Sequence, residues 1–152
     1  MFFPDPAQGP HEFRRVLRPH RRTAVCVIAA PARAPMLGVL PDILSQYLPD
    51  QREVLHLMFA LADAERLARL FALAGFRELN VTRETREHRF ASFDDYWAPI
   101  EDAPGSLPQT YRALPDARRQ AVWEEVRTRL APFEASGRLV MRIEMLIRAG
   151  RA

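Results

Sequence analysis

The stretch EFRRVLRPHRRTAVCVIAA, residues 12–30, confines the chain to a small set of folds. Phe13, Val16 and Leu17 fall at i, i+3 and i+4, the apolar stripe of a short helix opened by Gly9-Pro10. Pro19 ends that helix by disfavouring helical angles at Arg18. TAVCVIAA, Thr23 to Ala30, follows at once and is continuous and rich in β-branched residues. A run without in/out alternation suits a strand covered on both faces, as parallel strands are. A helix leading so closely into such a strand is the α/β pattern, and α/β is the fold class expected.

The remaining elements can be read in order. Four prolines between Pro31 and Pro49 predict a loop around a short helix over 43–48. Asp63 is placed to cap a helix whose apolar side is Leu67, Leu70, Phe71 and Ala74. Gly75 then sits at a left-handed stop, with Phe76 closing over it. A strand is expected over 78–90, then a helical segment over 92–133 interrupted at Pro104-Gly105, with Asp116 as a cap. Last comes a strand in which Leu139, Met141, Ile143, Met145 and Ile147 form a wholly apolar side opposite a mixed one, the signature of half-burial.

Composition excludes several kinds of chemistry. All 22 cations are arginine, so no lysine is present to form a Schiff base or act as a general base. The net charge of +3 therefore reflects an arginine-only, Ala- and Pro-rich composition rather than a basic surface. The cluster Arg14, Arg15, Arg18, Arg21 and Arg22 has no interleaved aromatics, which argues against nucleic acid as a partner. A single cysteine, Cys26, lies in the apolar run, where it reads as a core residue with a suppressed thiolate. The four histidines at 11, 20, 56 and 88 lack ligand spacing, so no metal site is expected. The adjacent acidic pairs Asp94-Asp95, Glu101-Asp102 and Glu124-Glu125 diverge by about 100° on a helix and do not form a dyad. No signal-peptide pattern and no apolar run of about 20 residues is present, so the expectation is a soluble, cytoplasmic protein without a membrane partner.

Several strings then fall in a familiar order: FFPD (Phe2 to Asp5), EFRRVLRP (Glu12 to Pro19), TAVCVIA, FALADAERLARLFALAGFRELNV (Phe59 to Val81) and FASFDDYW (Phe90 to Trp97). In that order they resemble the carboxyl-terminal half of class I S-adenosylmethionine-dependent methyltransferases, closest to the group with the quinone-biosynthesis C-methyltransferases. The resemblance implies an incomplete Rossmann-like methyltransferase fold in one partial domain over 1–152. Its parts would be distal sheet strands, a helical insertion over about 92–133 and an antiparallel last strand. It implies methyl transfer to a small-molecule acceptor, with S-adenosylmethionine as cofactor. Phe2 and Phe3 match a position bordering the cofactor, and core packing is the other role open to them. Phe93, Tyr96 and Trp97 match the start of an insertion that covers the acceptor, or else pack that insertion onto the sheet.

The resemblance also implies that the cofactor loop lies upstream of FFPD. The six glycines, at 9, 38, 75, 105, 137 and 150, form no G-x-G and none leads a buried strand into a helix. Two departures occur inside the matched region: His20-Arg21 replace a Gly-Gly turn, and Gly9-Pro10 shorten the first helix. The chain is therefore expected to be a portion lacking the cofactor-binding half and inactive alone. The alternative is an interaction module, since the first strand would present an unpaired edge to a second copy or to a complementing chain.

Overall fold

The computed structural model describes residues 5–152. The described chain is mixed α/β, with helices α1 (Gln8–Val16), α2 (Pro35–Tyr47), α3 (Arg52–Leu55), α4 (Ala64–Leu73), α5 (Phe93–Asp102), α6 (Ser106–Arg112) and α7 (Asp116–Leu130). Its strands are β1 (Arg22–Ile28), β2 (Arg77–Phe90), β3 (Glu134–Ala135) and β4 (Arg138–Arg151), and the sheet order is β1-β4-β2 with β3 paired to β4. β1 runs antiparallel to β4 in continuous register, from Arg22 opposite Arg151 to Ile28 opposite Met145. The ion pairs Arg83–Glu144 and Arg142–Glu87 place β2 antiparallel to β4 as well, because the numbers fall on one strand as they rise on the other. The last strand is therefore central and opposed in direction to both of its long neighbours.

The residues fall into two compact units. One comprises 5–30, 57–85 and 144–152; the other comprises Pro31–His56 and Arg86–Ile143. In the first, α1 and α4 cover Val25, Val27 and Leu146 with Phe13, Leu67 and Phe71. α4 is bounded as its sequence dictates. Asp63 Oδ1 accepts the Arg66 amide at 2.7 Å, satisfying one of the helix's orphan donors. Gly75 takes φ +85°, and Gly75 and Phe76 donate back to Ala72 and Phe71. The Phe71 and Phe76 rings close the motif at 5.2 Å.

In the second unit α2 packs on α7, burying Val39, Leu40, Ile43 and Leu44 with Val122, Val126 and Leu130. Each such side chain contributes roughly 1.5–3 kcal/mol. Here the expectation of a loop with a short helix over 43–48 is corrected: α2 runs 13 residues and holds Pro41 inside it. An interior proline costs about 3 kcal/mol. Burial of four aliphatic residues along one helix outweighs that, and Pro35 starts α2 at a position where a missing N–H is harmless. The hairpin of β3 and β4 was also not foreseen. Ser136 and Gly137 both take positive φ (+52° and +73°), the two-residue turn that matches strand twist.

Two strand expectations change. β1 was expected to be covered on both faces, yet it ends the sheet, and its residues alternate between exposed Arg22, Ala24, Cys26 and more buried Thr23, Val25, Val27. Cys26 is thus exposed rather than core. Along β4 the buried side switches: Leu139, Met141 and Ile143 are buried in the second unit, whereas Leu146, Arg148 and Gly150 are buried in the first. The wholly apolar side is only half-buried beyond Glu144, because α1 and α4 cover the mixed side there.

Candidate functional site

Helices α5, α6 and α7 of the second unit build a polar cleft. α5 begins at Ser92, whose Oγ accepts the Asp95 amide at 3.1 Å while Asp95 Oδ2 accepts the Ala91 amide at 3.0 Å. That reciprocal cap sets the start of the helix, and Phe93, Tyr96 and Trp97 turn inward, each 6% exposed or less. Phe93 stacks on Trp97 at 5.8 Å, as i, i+4 neighbours can. Tyr96 donates its hydroxyl to the Met36 carbonyl at 3.0 Å, and burial pushes its phenol pKa far up.

Over this aromatic layer lies a surface cleft of about 630 Å³, lined by Glu101 of α5, Tyr111 and Arg112 of α6, and Asp116, Arg119 and Trp123 of α7. Trp97 supports it from below: its ring meets Tyr111 edge-on at 5.1 Å, and its indole N–H donates to Glu101 Oε1 at 2.9 Å. Phe93 supports Trp123 edge-on at 5.5 Å, and the Arg127 guanidinium lies over both of those rings. The predicted aromatic trio therefore forms the layer behind the cleft rather than its lining. Phe2 and Phe3 lie outside the described residues.

The cleft's charged groups mostly fix one another. Arg112 Nη1 donates to the carbonyls of Glu101 at 2.7 Å and Ala103 at 3.1 Å, tying α6 to the end of α5. Arg119 donates to Asp116 Oδ1 at 2.6 Å. The Tyr111 phenol is raised chiefly by burial and then by the nearby Glu101 charge, with Arg119 opposing. These groups offer an aromatic wall and arginine donors to a small planar molecule. The sequence signal that could have found the α7 contribution is spacing: Asp116, Arg119 and Trp123 share a face at i, i+3 and i+7, beside the Val122, Val126, Leu130 stripe.

The second unit also pairs His56 Nε2 with Asp42 Oδ1 at 2.7 Å, while Nδ1 meets the Arg52 carbonyl at 3.0 Å. With both ring nitrogens engaged, the histidine pins α3 to α2 and has no nitrogen left for a substrate. In the first unit an apolar cavity of about 210 Å³ is lined by Pro10, Phe13, Val25, Val27, Leu67 and Phe71 among others. No described helix is long and apolar enough to cross a membrane. No family model matches the chain, and no curated protein matches it.

Proposed function

We propose that this chain supplies the distal, acceptor-side portion of an S-adenosylmethionine-dependent small-molecule methyltransferase. The observation that carries the reading is β1. Its sequence is that of a strand with neighbours all round, yet among the described residues it is paired on one edge only. Its outer face, Ala24, Cys26 and Ile28 with Met145, Ile147 and Ala149 opposite, is exposed or half-buried and contributes nothing to the unit's core. An apolar strand in that state is what remains when the strands and helices that normally flank it belong to other polypeptide. A central last strand antiparallel to its neighbours and a helical insertion bearing a cleft also favour it. On this reading Tyr111 and Trp123 contact a planar acceptor, Phe93 and Trp97 hold those rings in place, and alignment supplies most of the rate.

The described residues do not themselves fit the methyl donor. The glycines with positive φ, Gly75, Gly105 and Gly137, stop α4, precede α6 and turn the β3–β4 hairpin. None leads a buried strand into a helix, so no backbone cradle for a nucleoside is present among them. Calorimetric titration with S-adenosylmethionine and S-adenosylhomocysteine should show no binding tighter than ~100 μM, about 5.5 kcal/mol. Translation of the encoding DNA upstream of Met1 should reveal a glycine-rich first half. Tighter binding by this chain alone would refute the split assignment.

The free edge of β1 supports a second reading, an interaction module that pairs with a second copy or a complementing chain. Sedimentation of the purified chain tests self-pairing: a monomer at every concentration excludes the second copy, and a complementing chain is then the only partner left for that edge.

A further inference from the structure

Arg148 is 6% exposed, and its Nε is buried with no hydrogen-bond partner. No other group of the side chain has an acceptor among the described residues. It stands on β4 directly opposite Val25, on the face that carries Val27 and Leu146 in the core of the first unit. Two strand carboxylates of that unit are engaged elsewhere: Glu78 accepts Arg22 and Arg151, and Glu144 accepts Arg83. A guanidinium does not lose its proton at physiological pH, so the charge cannot be neutralised by titration. A buried guanidinium N–H without a partner is costly, and a charge-assisted bond to an oxyanion is the arrangement that offsets it.

Val25, the residue facing Arg148, also lines the 210 Å³ apolar cavity beneath α1 and α4. Cross-strand partners hold their Cβ atoms about 4.5–5.5 Å apart, so the arginine's stem rises from the strand pair that floors the chamber. At about 30 Å³ per water-sized group the cavity accommodates roughly seven such groups. Its lining is aliphatic and aromatic, from Phe13, Val27, Leu67 and Phe71.

We propose that the first unit binds a small amphipathic monocarboxylate, its apolar body in this cavity and its carboxylate on Arg148. The site is separate from the cleft of the insertion helices and does not rest on the methyltransferase reading. The test uses octanoate, octanol and acetate on the purified chain, followed by thermal melting and by the arginine Nε–H resonances in nitrogen-15 spectra. Octanoate should raise the melting midpoint and shift one Nε–H signal, the one missing from Arg148→Met. It should bind at least tenfold more tightly than octanol, while acetate has no effect. In Arg148→Met that tenfold preference should vanish. Val25→Phe, which fills the chamber and keeps the arginine, should lose octanoate binding and serves if the first variant does not fold. Equal binding of octanol and octanoate, an effect of acetate as large as that of octanoate, or no binding at all would each overturn the assignment.

Discussion

Trp97 meets Tyr111 edge-on, ring centroids 5.1 Å apart at 87°, and its indole N–H reaches Glu101 at 2.9 Å. One buried side chain thus sets the position of two groups of the polar cleft. Trp97→Ala should cost about 3–5 kcal/mol, the usual range for a large aromatic removed from a core. Trp97→Phe should cost less but free the Glu101 carboxylate and loosen Tyr111. Urea unfolding of both variants checks the order, and an alanine variant as stable as the parent would show that the layer does not support the cleft.

His20 takes φ +67° in the turn before β1, where its amide donates to the Ala152 carbonyl at 3.0 Å. Left-handed angles cost a residue with a Cβ about 1–2 kcal/mol. His20→Gly should therefore stabilise the fold, by about 0.5–1 kcal/mol after the added freedom of the unfolded chain is deducted. Denaturant midpoints decide the matter. A destabilised glycine variant would mean that the histidine side chain contributes more than its backbone strain costs.

Glu78 accepts Arg151 and Arg22 at 2.8 Å each, and these bonds lower its carboxyl pKa below the ordinary value of 4.5, with Arg151 the larger influence. A carboxylate depressed in the folded state contributes stability above its unfolded pKa, and that contribution disappears as pH falls through the folded value. The parent should therefore lose stability below about pH 4.5, and Glu78→Gln should lose less over the same interval. Melting midpoints between neutral and acidic pH provide the comparison; parallel curves for the two proteins would exclude the linkage.

The β1 ladder makes the edge testable. Ala29 donates to Glu144 at 2.9 Å and Ala152 to Arg21 at 2.8 Å, so odd-numbered residues of β1 bond to β4 and the N–H groups of Arg22, Ala24, Cys26 and Ile28 point outward. Cys26→Pro removes an outward donor and should leave the ladder to β4 intact. Val27→Pro removes an inward one and should lower the melting midpoint sharply. If the edge pairs with another chain, Cys26→Pro should also abolish that association in sedimentation. Equal thermal damage from both prolines would contradict the register.

Much of the local structure was legible because it depends on residues near one another. The Asp63 cap, the Gly75 stop with Phe76 behind it, and the end of α1 before Pro19 are fixed by angles and donors within one turn. α2 was misread because Pro41 speaks locally for a loop, and only the surface of α7 supplies the burial that keeps it helical. The site is half legible: the sequence marks Phe93, Tyr96 and Trp97 as aromatics at the start of α5. Whether they line a cleft or support one depends on the turn imposed at Ser92.

The amino-acid sequence by itself determined the order and kind of most elements, the arginine-only chemistry and the absence of a glycine loop, since these need no distant partner. Only the tertiary structure decided that β1 is an edge, that β4 exchanges its buried side near Glu144, and that an arginine stands unpaired beside an apolar chamber. Which face of a strand is covered depends on helices far away in sequence, and a pattern of period two names two faces without saying which one they will cover.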